Sequence, residues 1–260
     1  MAKIKKKKQA SKCPKKRVRK LHVSKKRSVI SLNSKLNKIK TSIDLRTTCP
    51  GHCVCCNVAC PQMNYSEFLS IATYIYNDLP EEERIVILQK SIKYFFSMSL
   101  IKPCPLLVGT KCSVYDIRPL SCRIYGLWPE DMYNERVEGF CESTGLSKEE
   151  VPLNTQCKYV KRMDNSKPLT KKIIEGVYDK INLLDKEIGD FNDEQIKKRY
   201  NQRTWHDWFM VKIFGEDTLS SLTGFLLAAE ANEVEDFTKE LILQVQVVGD
   251  LIFRKGIDNA

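Results

Sequence analysis

The chain is poor in several things that would have made its chemistry easy to name. Of 260 residues only three are histidine, His22, His52 and His206, so a histidine-rich metal site or a Cys–His hydrolase has little to draw on. No run of eighteen or more apolar residues occurs, so a membrane-spanning helix is not expected. The basic N-terminus MAKIKKKKQASKCPKKRVRK has no apolar segment behind it and does not read as a secretory signal. The expected setting is therefore the cytoplasm, where thiols stay reduced and cysteine clusters bind metal more often than they form disulfides. There is no glycine-rich G-x-G loop for a nucleotide cofactor, no internal repeat and no sustained alternation for a large sheet.

Acidic residues are missing from the first 43 positions, which hold fourteen Lys and three Arg; the first acid is Asp44. The remaining 26 basic residues face 32 acidic ones, so the formal charge of +11 belongs to a basic arm on a mildly acidic body. A run of like charge without aromatics cannot bury a core, so the arm, residues 1–45, is expected to be disordered. It could bind nucleic acid or another polyanion through residues 1–43 by counterion release, or serve only as a solubilising tail.

Cysteine is what the chain has in excess. Eleven are present; Cys13 lies in the arm and the other ten fall between Cys49 and Cys157. They sit beside Pro and Gly rather than in apolar runs, which does not suit small buried hydrophobes. Disulfides would need an oxidising compartment, and a single catalytic thiol would leave nine cysteines unexplained. Thiolates are soft ligands for zinc or iron–sulfur clusters, so metal binding accounts for number, spacing and surroundings together. The first group reads C-x3-C-x-C-C-x3-C, from Cys49 to Cys60; the second, Cys104, Cys112 and Cys122, reads C-x7-C-x9-C. Neither copies the paired knuckles of zinc ribbons or the ferredoxin run. The neighbours Cys55 and Cys56 are awkward for one centre, because adjacent side chains diverge. His52 is a candidate imidazole ligand, whereas His206 reads as structural.

Around these groups the periodicity is helical. SEFLSIATYIY starts at a plausible Ser66 cap, and PEEERIVILQKSIKYFFSMSL opens with a proline and three acids and places Ile85, Leu88, Ile92, Phe95 and Phe96 on one face. The stretch from the second cysteine group to Cys157, including WPEDMYNERVEGFCESTGL, shows no period and is expected to be loop-rich. From about Lys167 the chain turns helical again, and RTWHDWF is expected to bury Trp205 or Trp208 rather than stack bases. The expected fold is mainly α, with irregular cysteine-rich loops packed on helices: an arm at 1–45, a metal-binding domain at 46–165 and a helical region at 166–260.

CPLLVGTKCSVYDIRPLSCRIYG, residues 104–126, resembles the signature of the zinc- or iron-chelating cysteine-cluster family (YkgJ-like). Cys104, Pro105, Leu106, Leu107, Cys112, Tyr115, Arg118, Pro119, Cys122 and Arg123 fall on that signature, approximately C-P-[FL]-L, a short turn, then C-x-[IV]-Y-x-x-R-P-x-x-C-R. The upstream doublet Cys55–Cys56 is also family-like, and FCESTGL around Cys141 resembles a diverged later segment; Cys60 is an addition. The resemblance covers about residues 49–145 and implies a metal centre, named only as zinc or iron. The expected ligands are Cys53, Cys56, Cys104, Cys112 and Cys122, then Cys49, Cys60 and Cys141, with Cys55 and Cys157 unassigned. More than four thiolates exceed the needs of one zinc, which favours an iron–sulfur centre over zinc. Two other functions stay open: a cluster-dependent protein-modifying enzyme of the lysine methylase kind, on the resemblance alone, and a structural zinc module tethered to nucleic acid by the arm. Arg118 and Arg123 would either offset thiolate charge or pair with Asp116.

Overall fold

The structure, a computed structural model, describes residues 31–43, 49, 51, 53–97, 99, 102–151, 157, 159–160, 168–189 and 191–258, the last of these without the side chains of 223, 225–227 and 245–258. Cys13, His52 and residues 1–30 of the arm lie outside the described residues. The protein is mainly helical.

Residues 31–41 are helical (α1), although they belong to the segment expected to be a disordered arm. Charge counting hides the reason. Leu32, Leu36 and Lys40 recur every fourth residue and so share one face, and all three are buried. Helix α2 (Tyr65–Asp78) is capped by Asn64 and not by Ser66: the Asn64 amide donates to Glu67 Oε2 at 3.3 Å, and Ser66 lies inside the first turn. Phe68, Ile71, Ala72 and Ile75 give α2 its buried stripe. Helix α3 (Glu81–Phe96) starts after Pro80 with Glu81, Glu82 and Glu83 at its positive end, as expected. Its fully buried face is Ile87, Leu88, Ser91, Ile92 and Phe96; Ile85 and Phe95 flank it half-buried.

The stretch expected to be loop-rich contains a one-turn helix, α4 (Leu120–Arg123), and a longer one, α5 (Glu130–Thr144). Only Val137 of α5 is buried, so this helix has no apolar stripe for a periodicity argument to find. Pro129 precedes it and Gly145, at φ 72°, ends it in the left-handed region. Helices α6 (Lys171–Gly189), α7 (Asp193–Lys197), α8 (Trp205–Phe214), α9 (Glu216–Ala228) and α10 (Ala231–Asp258) complete the chain. Two short antiparallel pairs interrupt them. β1 (Met63–Asn64) pairs with β4 (Gln202–Arg203), and β2 (Leu107–Val108) pairs with β3 (Lys111–Cys112).

Two cores result among the described residues, and each joins the cysteine segment to the C-terminal helices. One packs α2 and α3 against Trp205, Trp208, Phe209 and Met210 of α8, with Cys104, Leu106 and Val114 at its edge. Both indoles are buried and paired: Trp205 Nε1 donates to Ser91 Oγ at 2.9 Å and Trp208 Nε1 to Met63 O at 3.1 Å, so neither is a surface platform for bases. The other packs Leu32 and Leu36 of α1 with Leu120 and Ile124 around α4 and Ile174, Val177, Ile181 and Leu184 of α6. A buried carboxylate ties α6 to the first pair of strands. Asp185 accepts from Asn64 Nδ2 at 2.8 Å, the Ser66 amide at 2.8 Å and Asn201 Nδ2 at 2.7 Å.

Candidate metal centre

Local turns bring the two cysteine groups together. Cys53 sits in the left-handed region at φ 52° and leads into a 3-10 turn, Val54–Asn57, whose first closure is the Cys56 amide on Cys53 O at 2.9 Å. Reversing the chain there puts Cys53 and Cys56 on the same side of a tight knuckle. The Cys104 amide then donates to Cys56 O at 2.7 Å, which stitches the second group to the first. The β2–β3 hairpin turns at Gly109, φ 58°, and places Cys112 opposite Leu107. A second 3-10 turn, Tyr115–Ile117, precedes Arg118 and Pro119, and α4 presents Cys122, whose amide donates to Pro119 O at 3.1 Å.

The thiols converge on Cys56, which has the side chains of Cys53, Cys55 and Cys112 within hydrogen-bonding reach. A hydrogen bond joins the Cys60 and Cys104 thiols in the same way. Cys122 lies within electrostatic reach of Cys104, Cys112 and Cys55. Cys49 hydrogen-bonds the Tyr115 side chain, and Tyr125 lies near both Cys55 and Cys157. All ten described cysteines are free thiols. Of the expected ligands, Cys49, Cys53, Cys56, Cys60, Cys104, Cys112 and Cys122 thus belong to one neighbourhood. Cys141 is carried by α5, and none of the contacts just named reaches it.

Electrostatics divides the thiols into two classes. The Cys55 and Cys112 thiols are each lowered to about 7, chiefly by the hydrogen bond from Cys56 and further by the charge of Arg118. Cys56, the donor in both, is raised by those same bonds and by burial. Burial and neighbouring thiols also raise Cys53 and Cys122, while Cys104 is raised first by its bond with Cys60 and then by burial. Arg118 lies over the Tyr115 ring at 3.8 Å and donates to Tyr115 O at 3.1 Å. Arg123 binds the main-chain carbonyls of Arg118 and Asp116. Of the two roles open to these arginines, Arg118 therefore takes the thiolate-facing one, while the hydrogen bonds of Arg123 go to the backbone.

These donors fit a thiophilic metal in type and number, and two are poised to be thiolates near neutral pH. They are not preset as ligands: among the described residues no group of three or more His, Cys, Asp or Glu is arranged to hold a metal ion. The thiols instead bond one another around Cys56 and between Cys60 and Cys104, while Cys53 Sγ also donates to Gly51 O at 3.3 Å. A metal would replace those S–H···S bonds and release the protons they carry. Two signals were passed over in the sequence. Cys53 and Cys56 stand at C-x2-C spacing, masked by the intervening Cys55, and Cys55 itself shares the contacts of the cluster.

Residues 47–158 match the model of the CxxCxxCC family, described as "Putative zinc- or iron-chelating domain". This is the cysteine-cluster family that residues 104–126 resemble, and the match includes every cysteine except Cys13. No curated protein and no solved structure matches the chain.

Proposed function

We propose, taking the chelating domain at 47–158 as the premise, that the protein holds an iron–sulfur centre through Cys53, Cys56, Cys104, Cys112 and Cys122, with Cys49, Cys60 and Cys55 beside them. The observation that carries this reading is the gathering of these thiols around Cys56, more donors than the four that one zinc takes. Cys141 joins the set on resemblance alone. When bound, such a centre supplies one-electron redox chemistry. The chain's own residues supply the rest: Arg118 places positive charge beside Cys55 and Cys112, and Tyr115 holds Arg118 and Cys49. The ten free thiols among the described residues suit a reducing compartment such as the cytoplasm.

Structural zinc is the second reading, favoured by the knuckle at Cys53 and Cys56. Serine substitution in the full-length protein, purified without oxygen, tests ligation in either case. Cys56→Ser and Cys112→Ser should each lose most of the bound metal, and Cys141→Ser should lose less. Wild-type metal content in both of the first two variants would contradict the reading.

A further inference from the structure

We propose that Lys40, on α1 outside the chelating domain, is a positioning residue for the thiol site. It acts by fixing the turn that carries Arg118 and Cys122. Its side chain is 5% exposed, and its ammonium group lies 2.9 Å from Glu67 Oε1, on a residue 1% exposed. The same ammonium donates to Arg118 O at 3.3 Å, and the same carboxylate oxygen accepts from the Leu120 amide at 2.8 Å. One buried ion pair therefore holds the main chain on both sides of Pro119, a residue with no amide proton of its own. The Leu120 amide is one of the unpaired donors at the start of α4, and a helix too short to orient itself depends on such a partner. Arg118 leads directly from this grip to the thiol cluster, and Cys122 follows two residues after Leu120.

The pair can form only because α1 is docked. Leu36 and Leu32, one and two turns before Lys40, pack with Leu120 and Ile124, so the helix that delivers the ammonium is anchored on α4 itself. Removing one member of a buried pair leaves an uncompensated charge, whereas removing both charges leaves a neutral contact of similar shape. Glu67 without Lys40 would be a buried carboxylate able to draw in water and free the turn. Its consequence for metal binding rests on the reading that Cys122 and its neighbours are ligands; its consequence for Cys122 accessibility does not.

The test uses the full-length protein with Lys40→Met, Glu67→Gln and the two combined. Cobalt(II) uptake is followed by its thiolate charge-transfer absorption, and alkylation of Cys122 by iodoacetamide is followed by peptide mass spectrometry. Lys40→Met should keep its helical circular dichroism, bind cobalt(II) at least tenfold more weakly and alkylate Cys122 at least tenfold faster. The double variant should return both values to within about threefold of wild type. A folded Lys40→Met protein with wild-type cobalt affinity and unchanged Cys122 reactivity would overturn the proposal. If the single variant does not fold, the double variant decides: recovery supports the charge pair, and failure to fold or weak cobalt binding overturns it. If the wild-type protein takes up no cobalt, the metal reading falls, and the alkylation rates alone decide the role of Lys40.

Discussion

Cys56 stands within hydrogen-bonding reach of three thiols, shares its one proton among them, and is itself raised. Cys56→Ala should therefore raise the Cys55 and Cys112 thiols from about 7 toward 9. Arg118→Met should raise them less, because the direct hydrogen bond from Cys56 lowers each thiol more than the charge of Arg118 does. Thiolate absorbance near 240 nm across pH in the metal-free protein would give this order; an equal or larger effect of Arg118→Met would contradict it. The same shifts set a pH profile. The two lowered thiols stabilise the fold fully above pH 9, and that contribution is lost as pH falls through 7. The raised thiols of Cys53, Cys56, Cys104 and Cys122 contribute below pH 9 and lose their contribution above it, where the unfolded chain ionises and the folded one resists. Metal-free protein should thus gain thermal stability from pH 7 to about 9 and lose it beyond; a midpoint that falls steadily from pH 7 would refute this assignment.

At the scale of elements, close approach and caps determine how firmly the site is framed. Gly126, at φ 81°, lies just after α4, and a Cβ there would stand 3.1 Å from the Cβ atoms of Cys157 and Val160. Gly126→Ala combines a left-handed backbone with this crowding and should cost about 1–3 kcal/mol, read as a lowered urea midpoint at unchanged slope. Asp185→Ala would strand the Ser66 amide and leave Asn64 Nδ2 and Asn201 Nδ2 each with only Asn182 Oδ1 as acceptor, again a loss of about 3 kcal/mol by the same measurement. Elements with an apolar stripe, α2 and α3, were legible in the sequence, as were the buried indoles of α8. Helix α5 was not, because it buries Val137 and little else. The Asn64 cap was overlooked because Ser66, also a good capping residue, stands two places on and is itself buried.

For the molecule as a whole, composition was enough to mark out residues 49–157, since ten clustered cysteines need no tertiary information to be noticed, and the family match at 47–158 covers the same stretch. Composition drew the edge of the basic arm too late. Residues 31–41 carry the same charge sign as the arm, yet Leu32 and Leu36 are core. Deleting residues 1–30 should leave the melting temperature unchanged, whereas deleting 1–43 removes two buried leucines and should cost about 4 kcal/mol. Polyanion binding is therefore best tested with the shorter deletion, which leaves α1 in place. The chain's central chemistry is most directly tested by elemental analysis with a visible spectrum on full-length protein purified without oxygen. Iron with acid-labile sulfide and oxygen-sensitive visible absorption is the predicted result. A colourless protein holding only zinc, or holding no metal, would contradict it.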